Sequence, residues 1–254
     1  MKLTILGSGT FVPISGRNNP GYLLDIEGNT ILIDCGSGTL RQLSKADRSF
    51  WEINKVFLSH FHIDHTADLI PLLFTRKYSA NPENRKDISE LAIHAHLDFG
   101  KILESLENIY TQWIRHDERP YKFNSFELGY NKFKDFSVFV LNAKHNPESL
   151  LFRFEDKKGR RFVYTGDTGY CQELVEISNN TDLLLCECSL RDIDEIETHL
   201  TPGKISRLLE EIAVKKVILT HIYPENDDDS LLTRIGSFKE KEILVGTDFL
   251  TVEI

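Results

Sequence analysis

The stretch Ser59-His60-Phe61-His62-Ile63-Asp64-His65 sets three imidazoles and one carboxylate within a few residues of one another. Imidazole and carboxylate are the side chains that ligate zinc, manganese or iron, and a neutral histidine binds through whichever ring nitrogen its neighbours leave free. Structure alone rarely calls for such density. Three more candidates each follow an apolar run: His145 after Val138-Phe139-Val140-Leu141, Asp167 after Phe162-Val163-Tyr164-Thr165-Gly166, and His221 after Val217-Ile218-Leu219-Thr220. A strand ending at each point would aim the side chain into a shared cleft. Taken singly, each could equally cap a helix or sit on the surface; taken with the first cluster, they form a matched set.

Elements must hold these residues in place. Residues 2 to 6, 22 to 26 and 30 to 34 read as strands, with Glu27-Gly28-Asn29 as a hairpin tip. A helix is expected near 39 to 45, a strand over 55 to 59 ending at the first histidine, and a helix over 66 to 77. Residues 79 to 90 are polar and contain Pro82, as an exposed connection would. A strand over 91 to 94 and a helix over 99 to 110 follow. The second half repeats the mixture: strands at 136 to 143, 149 to 155, 161 to 165 and 182 to 188, a helix over 203 to 213, and strands at 216 to 220, 242 to 246 and 249 to 253. Two packed sheets with helices outside them accommodate this order in one domain, residues 1 to 254.

The balance of 39 acidic against 30 basic residues, net −9, disfavours a surface that grips nucleic acid by general positive charge. Cys35, Cys171, Cys186 and Cys188 form no paired metal-knuckle pattern and no secreted disulfide framework. The apolar start gives way to Gly-Ser-Gly-Thr too soon for a signal peptide, and no apolar run reaches membrane-spanning length. A cytoplasmic protein with no membrane partner is expected.

With His60, His62, Asp64 and His65 followed by a further His, an Asp and a final His, the chain resembles the metallo-β-lactamase superfamily over nearly its whole length. The resemblance implies an α/β four-layer αβ/βα sandwich. It implies two divalent metal ions, zinc first with manganese or iron(II) as alternatives. His60, His62 and His145 would hold one ion, Asp64, His65 and His221 the other, and Asp167 would bridge them. Asp34, in Asp34-Cys35-Gly36, matches an early element that supports the metal loop. Two metals about 3.5 to 4 Å apart can activate water and hold both the attacking and departing oxygens, so hydrolysis is the expected chemistry.

Within the superfamily, Leu6-Gly7-Ser8-Gly9-Thr10, Val12-Pro13, Arg17-Asn18 and the run from Asp34 to Leu43 resemble the ribonuclease Z and phosphodiesterase branch. Cys186-Glu187-Cys188-Ser189 and His199-Leu200-Thr201 match a second marker of that branch. By that resemblance Glu187 orients His199, which protonates the departing alkoxide, so His199, Glu187 and Asp64 are the expected catalytic groups. Two departures bear on substrate. Ile63 stands where ribonuclease Z has glycine, and the interval from His145 to Asp167, 167 − 145 = 22 residues, leaves no room for a long tRNA-clamping arm. The expected substrate is a small or cyclic phosphodiester or a short oligonucleotide. A tRNA 3′-processing endonuclease, and a thioester or lactam hydrolase on the same metals, are the alternatives. A homodimer is implied by resemblance alone. His94, His96 and His116 complete no cluster, and Trp51, Trp113 and the phenylalanine-rich stretch 123 to 139 suit a core or subunit contact.

Overall fold

The computed structural model describes residues 1–79, 90–115 and 121–254. Two seven-stranded sheets carry the architecture. The first contains β1 (Lys2–Gly7), β2 (Gly21–Ile26), β3 (Asn29–Cys35), β4 (Lys55–Phe57), β5 (Leu91–Ala95), β6 (Tyr121–Ser125) and β14 (Thr251–Glu253), in the order β14-β1-β2-β3-β4-β5-β6. The second contains β7 (Gly129–Lys132), β8 (Phe136–Asn142), β9 (Leu150–Asp156), β10 (Arg161–Tyr164), β11 (Thr181–Glu187), β12 (Val214–Thr220) and β13 (Glu242–Val245), in the order β13-β12-β11-β10-β9-β8-β7. Helices α1 (Thr39–Lys45), α2 (Ile63–Thr66), α3 (Leu69–Tyr78) and α4 (Phe99–Tyr110) accompany the first sheet in sequence, and α5 (Gln172–Ser178), α6 (Pro202–Glu211) and α7 (Leu231–Ile235) the second.

The central strands are apolar on both faces because both of their faces are covered. Leu3, Ile5, Tyr22, Leu24, Ile31 and Ile33 meet Val138, Val140, Phe152, Phe154 and Phe162 between the sheets. The alternate residues Leu6, Leu23 and Leu32 pack under Leu43, Leu72, Phe99 and Leu103 of the helices. On the far side, Val163, Leu184, Val217 and Leu219 pack under Leu174, Ile205, Leu208 and Leu231. This is the four-layer αβ/βα sandwich expected from the resemblance, with period-two strands feeding three apolar layers.

β3 through β6 pair in parallel, as do β10 through β13. Parallel neighbours end on one edge, and ligands collect at the carboxyl ends of such strands. Most expected site residues lie just beyond such ends.

Local chemistry explains the element boundaries. Glu27 and Gly28 both have positive φ, as a two-residue hairpin turn between β2 and β3 requires. α6 starts one residue early, at Pro202, with the Thr201 side chain accepting from Lys204 N. The strand expected over 55 to 59 stops at Phe57, because Ser59 N leaves the ladder and donates to the Asp34 carboxylate. The helix expected over 66 to 77 begins earlier and breaks at Ala67-Asp68 into α2 and α3. Pro71, third in α3, lacks an N–H that has no intrahelical acceptor at that position anyway. Of the expected connection over 79 to 90, residues 80 to 89 lie outside the described residues.

Candidate metal centre

The metal loop hangs on Asp34. This fully buried carboxylate, on the penultimate residue of β3, accepts four hydrogen bonds: from Ser59 N at 2.8 Å, Ser59 Oγ at 2.7 Å, Tyr164 Oη at 2.6 Å and His65 Nδ1 at 2.7 Å. Burial first, then the Asp34 charge, push the Tyr164 phenol well up, so it remains a donor. Both Asp34 and His221 adopt left-handed backbone, at φ 53° and 52°. Such conformations in non-glycine residues cost energy and concentrate at functional sites. Gly36 completes the support: a Cβ there would lie 1.9 Å from the Asp64 carbonyl, so only glycine lets this turn pack against the loop. Outer partners of this kind typically govern 10- to 100-fold in metal affinity, so Asp34→Asn is expected to weaken binding by about that factor in a chelator competition.

The loop and the strand ends bring the expected ligands together. One ligand atom from each of His60, His62, His145 and Asp167 lies within 4.8 Å of the others, and the same holds for Asp64, His65 and His221. Asp167 stands between the groups, its carboxylate 3.6 Å from His60 Nε2, 3.3 Å from His65 Nε2 and 3.5 Å from His221 Nε2. The Nδ1 atoms are engaged elsewhere. His60 Nδ1 meets Ser59 Oγ at 3.0 Å, His221 Nδ1 meets Ser189 Oγ at 2.9 Å, and His145 Nδ1 donates to the Thr198 carbonyl at 3.2 Å. Each ring therefore keeps Nε2 for the cleft. His62 is exposed and accepts from Asn146 Nδ2 at 3.0 Å.

Three atoms test whether a cation fits. His60 Nε2, His65 Nε2 and Asp167 Oδ1 are buried without a hydrogen-bond partner. An unsatisfied buried polar atom costs about 1 to 3 kcal/mol; one divalent ion held by each ligand group, with Asp167 shared, would satisfy all three. Burial, then neighbouring His65, hold His60 well below the usual imidazole range, in the neutral form that ligates. Burial opposes charge on Asp167, but His221, His65 and His60 outweigh it and hold its carboxyl well down.

Beside this cluster, Glu187 closes β11 fully buried. Its carboxylate accepts from Thr168 N at 2.6 Å, His199 Nδ1 at 2.9 Å, Leu200 N at 3.2 Å and Ser189 Oγ. The His199 ring lies 4.9 Å from that of His145 and 6.1 Å from that of His221. Burial works against a charge on His199, but the Glu187 charge and hydrogen bond raise its pKa to about 9. His199 also groups with Asp167 and His221 at ligating range, so proximity does not by itself separate an acid from a ligand. The Glu187 lock favours the acid, because it stabilises the imidazolium that donates a proton.

Other candidates fall outside the centre. His94 packs against Phe57, Phe133 and Phe126 at 5.0, 5.2 and 5.4 Å, and burial, then Lys55, lower it to about 4. His96 pairs with Asp98; His116 lies outside the described residues. Two of the three cations at the β9–β10 turn are paired, Lys157 with Asp135 and Arg160 with Asp156. Tyr164, Thr168 and Asn146 were not singled out in the sequence. Tyr164 sits inside a strand run, and only the packing of β10 over β3 reveals its tie to Asp34.

Residues 29–222 match the family described as the beta-lactamase superfamily domain. The chain is 27% identical to a ribonuclease Z of Methanosarcina acetivorans over 299 aligned positions, covering 100% of this chain and 98% of the relative. Among solved structures it is similar to the metallo-beta-lactamase fold protein YhfI of Bacillus subtilis, with TM-score 0.84, 22% identity and coverage of 99% and 98%. It is also similar to the short form of human tRNase Z, with TM-score 0.78, 24% identity and coverage of 100% and 99%. The chain thus belongs to the beta-lactamase superfamily, in its ribonuclease Z-like branch, and is a metal-dependent hydrolase.

Proposed function

We propose that the protein hydrolyses RNA phosphodiesters by ribonuclease Z-type chemistry. The observation that carries this reading is the His199–Glu187 pair, locked at 2.9 Å beside the Asp167-centred cluster. A phosphodiester expels an alkoxide of high proton affinity, which needs a donor at the departing oxygen; a thiolate does not. The whole-length likeness to proteins named Ribonuclease Z supports RNA over the small diester first expected from the sequence. His60, His62 and His145 would hold one divalent ion and Asp64, His65 and His221 the other, with Asp167 shared. Zinc suits this nitrogen and oxygen set, as do manganese and iron(II). When bound, such a pair supplies an activated water and neutralises charge on the phosphate oxygens. Asp64 and Asp167 would help hold that pair, and His199 would deliver the proton.

One observation favours a small diester as a second reading. The hairpin of β9 and β10 occupies most of the interval from His145 to Asp167. The alignment with the Methanosarcina relative spans 299 − 254 = 45 more positions than this chain has residues. Assaying metal-loaded protein on a precursor tRNA, a short RNA with a 3′ extension and an aryl phosphodiester separates the readings. Cleavage of both RNAs is expected, the short one at least as well as the precursor. Turnover of the aryl diester without cleavage of either RNA would promote the second reading.

The pH profile follows from His199. A donor acts only while protonated, so its contribution is present below its pKa of about 9 and lost above it. Divalent cations bound beside it would lower that value. The alkaline limb for a poor leaving group is therefore expected at or below about 9 and should vanish in His199→Ala.

No helix among the described residues is long and apolar enough to cross a membrane; a cytoplasmic location belongs to the proposal. So does a homodimer. An apolar groove of about 900 Å³ between α3 and α4, bounded by Ile63, Phe74, Ile102, Tyr110 and Trp113, supports it as a surface a second copy would cover. Sedimentation is expected to give twice the chain mass, and Phe74→Glu should shift it to the monomer.

A further inference from the structure

Two aromatic side chains lie at the rim of the metal centre. Phe11, in the loop after β1, is 63% exposed, so its ring is open to a substrate group. Tyr223 is half-buried two residues after His221. Their rings meet edge to face, with centroids 5.6 Å apart and planes at 84°. The Tyr223 ring stands 5.9 Å from that of His221, so the pair forms a continuous wall from the metal centre to solvent. The backbone fixes the wall: Ile222 N donates to Ser8 O at 3.2 Å, and Tyr223 N to Ser189 O at 3.4 Å. A cavity of about 280 Å³ opens beside Tyr223, bounded by Ser189, Arg191, Glu225 and Asn226.

We infer that Phe11 and Tyr223 form a stacking wall for the unpaired nucleobase next to the scissile phosphate. This rests on the phosphodiester reading and names the substrate group the site grips. A net charge of −9 denies the chain a general hold on a polyanion. Arg191, the cation lining the cavity, is already paired with Asp194 at 2.7 Å. Beyond what metal ions at the centre would supply to the phosphate, affinity would come from neutral contacts close to it. Aromatic faces provide them for any base, because every base has a π-face. The wall also assigns a preference for single-stranded substrate, since a paired base cannot reach it.

Two esters with the same leaving group test this: thymidine 5′-(p-nitrophenyl phosphate), which carries a base, and methyl p-nitrophenyl phosphate, which does not. Stacking contributions correspond to a loss of about 5- to 150-fold. In Phe11→Ala and Tyr223→Ala the ratio of kcat/KM for the nucleoside ester to that for the methyl ester is expected to fall by that factor, mostly through KM. Tyr223→Phe, which keeps the ring, should retain the ratio, and metal content is to be checked in each variant. An unchanged ratio in both alanine variants, with metals retained, would overturn the wall while leaving the phosphodiester reading standing. If the wild type hydrolyses neither ester nor any RNA, the phosphodiester reading itself fails and the wall falls with it.

Discussion

Asp167→Ala is expected to lower kcat/KM by more than about 100-fold and to leave no more than one metal equivalent per chain. Residues that merely orient ligands govern about 10- to 100-fold, and Asp167 faces both ligand groups directly, so its loss should exceed that range. The geometry gives the reason: its carboxylate lies within 3.6 Å of His60 Nε2 and closer to His65 Nε2 and His221 Nε2. Without it, His60 loses this carboxylate, and His65 and His221 keep only that of Asp64, at 3.8 and 3.4 Å. Asp167→Asn preserves the shape and removes the charge, so it should reproduce most of the loss. Metal analysis after gel filtration checks the stoichiometry. Retention of both equivalents in Asp167→Ala would show that the two groups hold their ions independently and that Asp167 does not bridge them.

For His199→Ala the expected outcome depends on the leaving group. A diester with an alkoxide leaving group should lose about 10²- to 10⁴-fold in kcat, the usual contribution of a positioned acid, while a nitrophenyl ester loses little. Both metals should remain, because His199 Nδ1 is held by Glu187 and the seven expected ligands are untouched. Glu187→Gln should show a smaller version of the same dependence. The buried Glu187 carboxylate also accepts from Thr168 N and Leu200 N, so the variant's melting temperature must be followed alongside. Loss of a metal together with equal damage to every substrate would make His199 a ligand, as its distance to Asp167 and His221 would allow.

Much of the centre was legible because its chemistry is local or lies at strand ends. His60, His62, Asp64 and His65 share one loop, and the order of apolar run then His or Asp pointed to His145, Asp167 and His221 as candidates, which the structure brings beside that loop. Parallel pairing of β10, β11 and β12 turns that order into proximity, since the ends of these strands deliver Asp167, Glu187 and His221 to one edge. What was not legible depends on contacts distant in sequence. Tyr164 reaches Asp34 across 130 residues, and nothing in its own strand marks it. Ser59 reads as strand yet leaves the ladder for the same carboxylate. β6 and β7 were missed because, as edge strands with partly exposed residues, they lack a strong apolar period. The break between α2 and α3 followed from tertiary bonds, with Asp68 N donating to Cys35 O and its side chain accepting from Leu40 N. Helical periodicity cannot register such a tie.

The most direct test of the account is hydrolysis of a phosphodiester by metal-stripped protein as zinc is added back in measured equivalents. Activity is expected to rise until two equivalents are bound and then level off, with His60, His62, His145, Asp64, His65, His221 and Asp167 together holding both ions. Full activity at one equivalent, or no phosphodiester turnover at any loading, would contradict it.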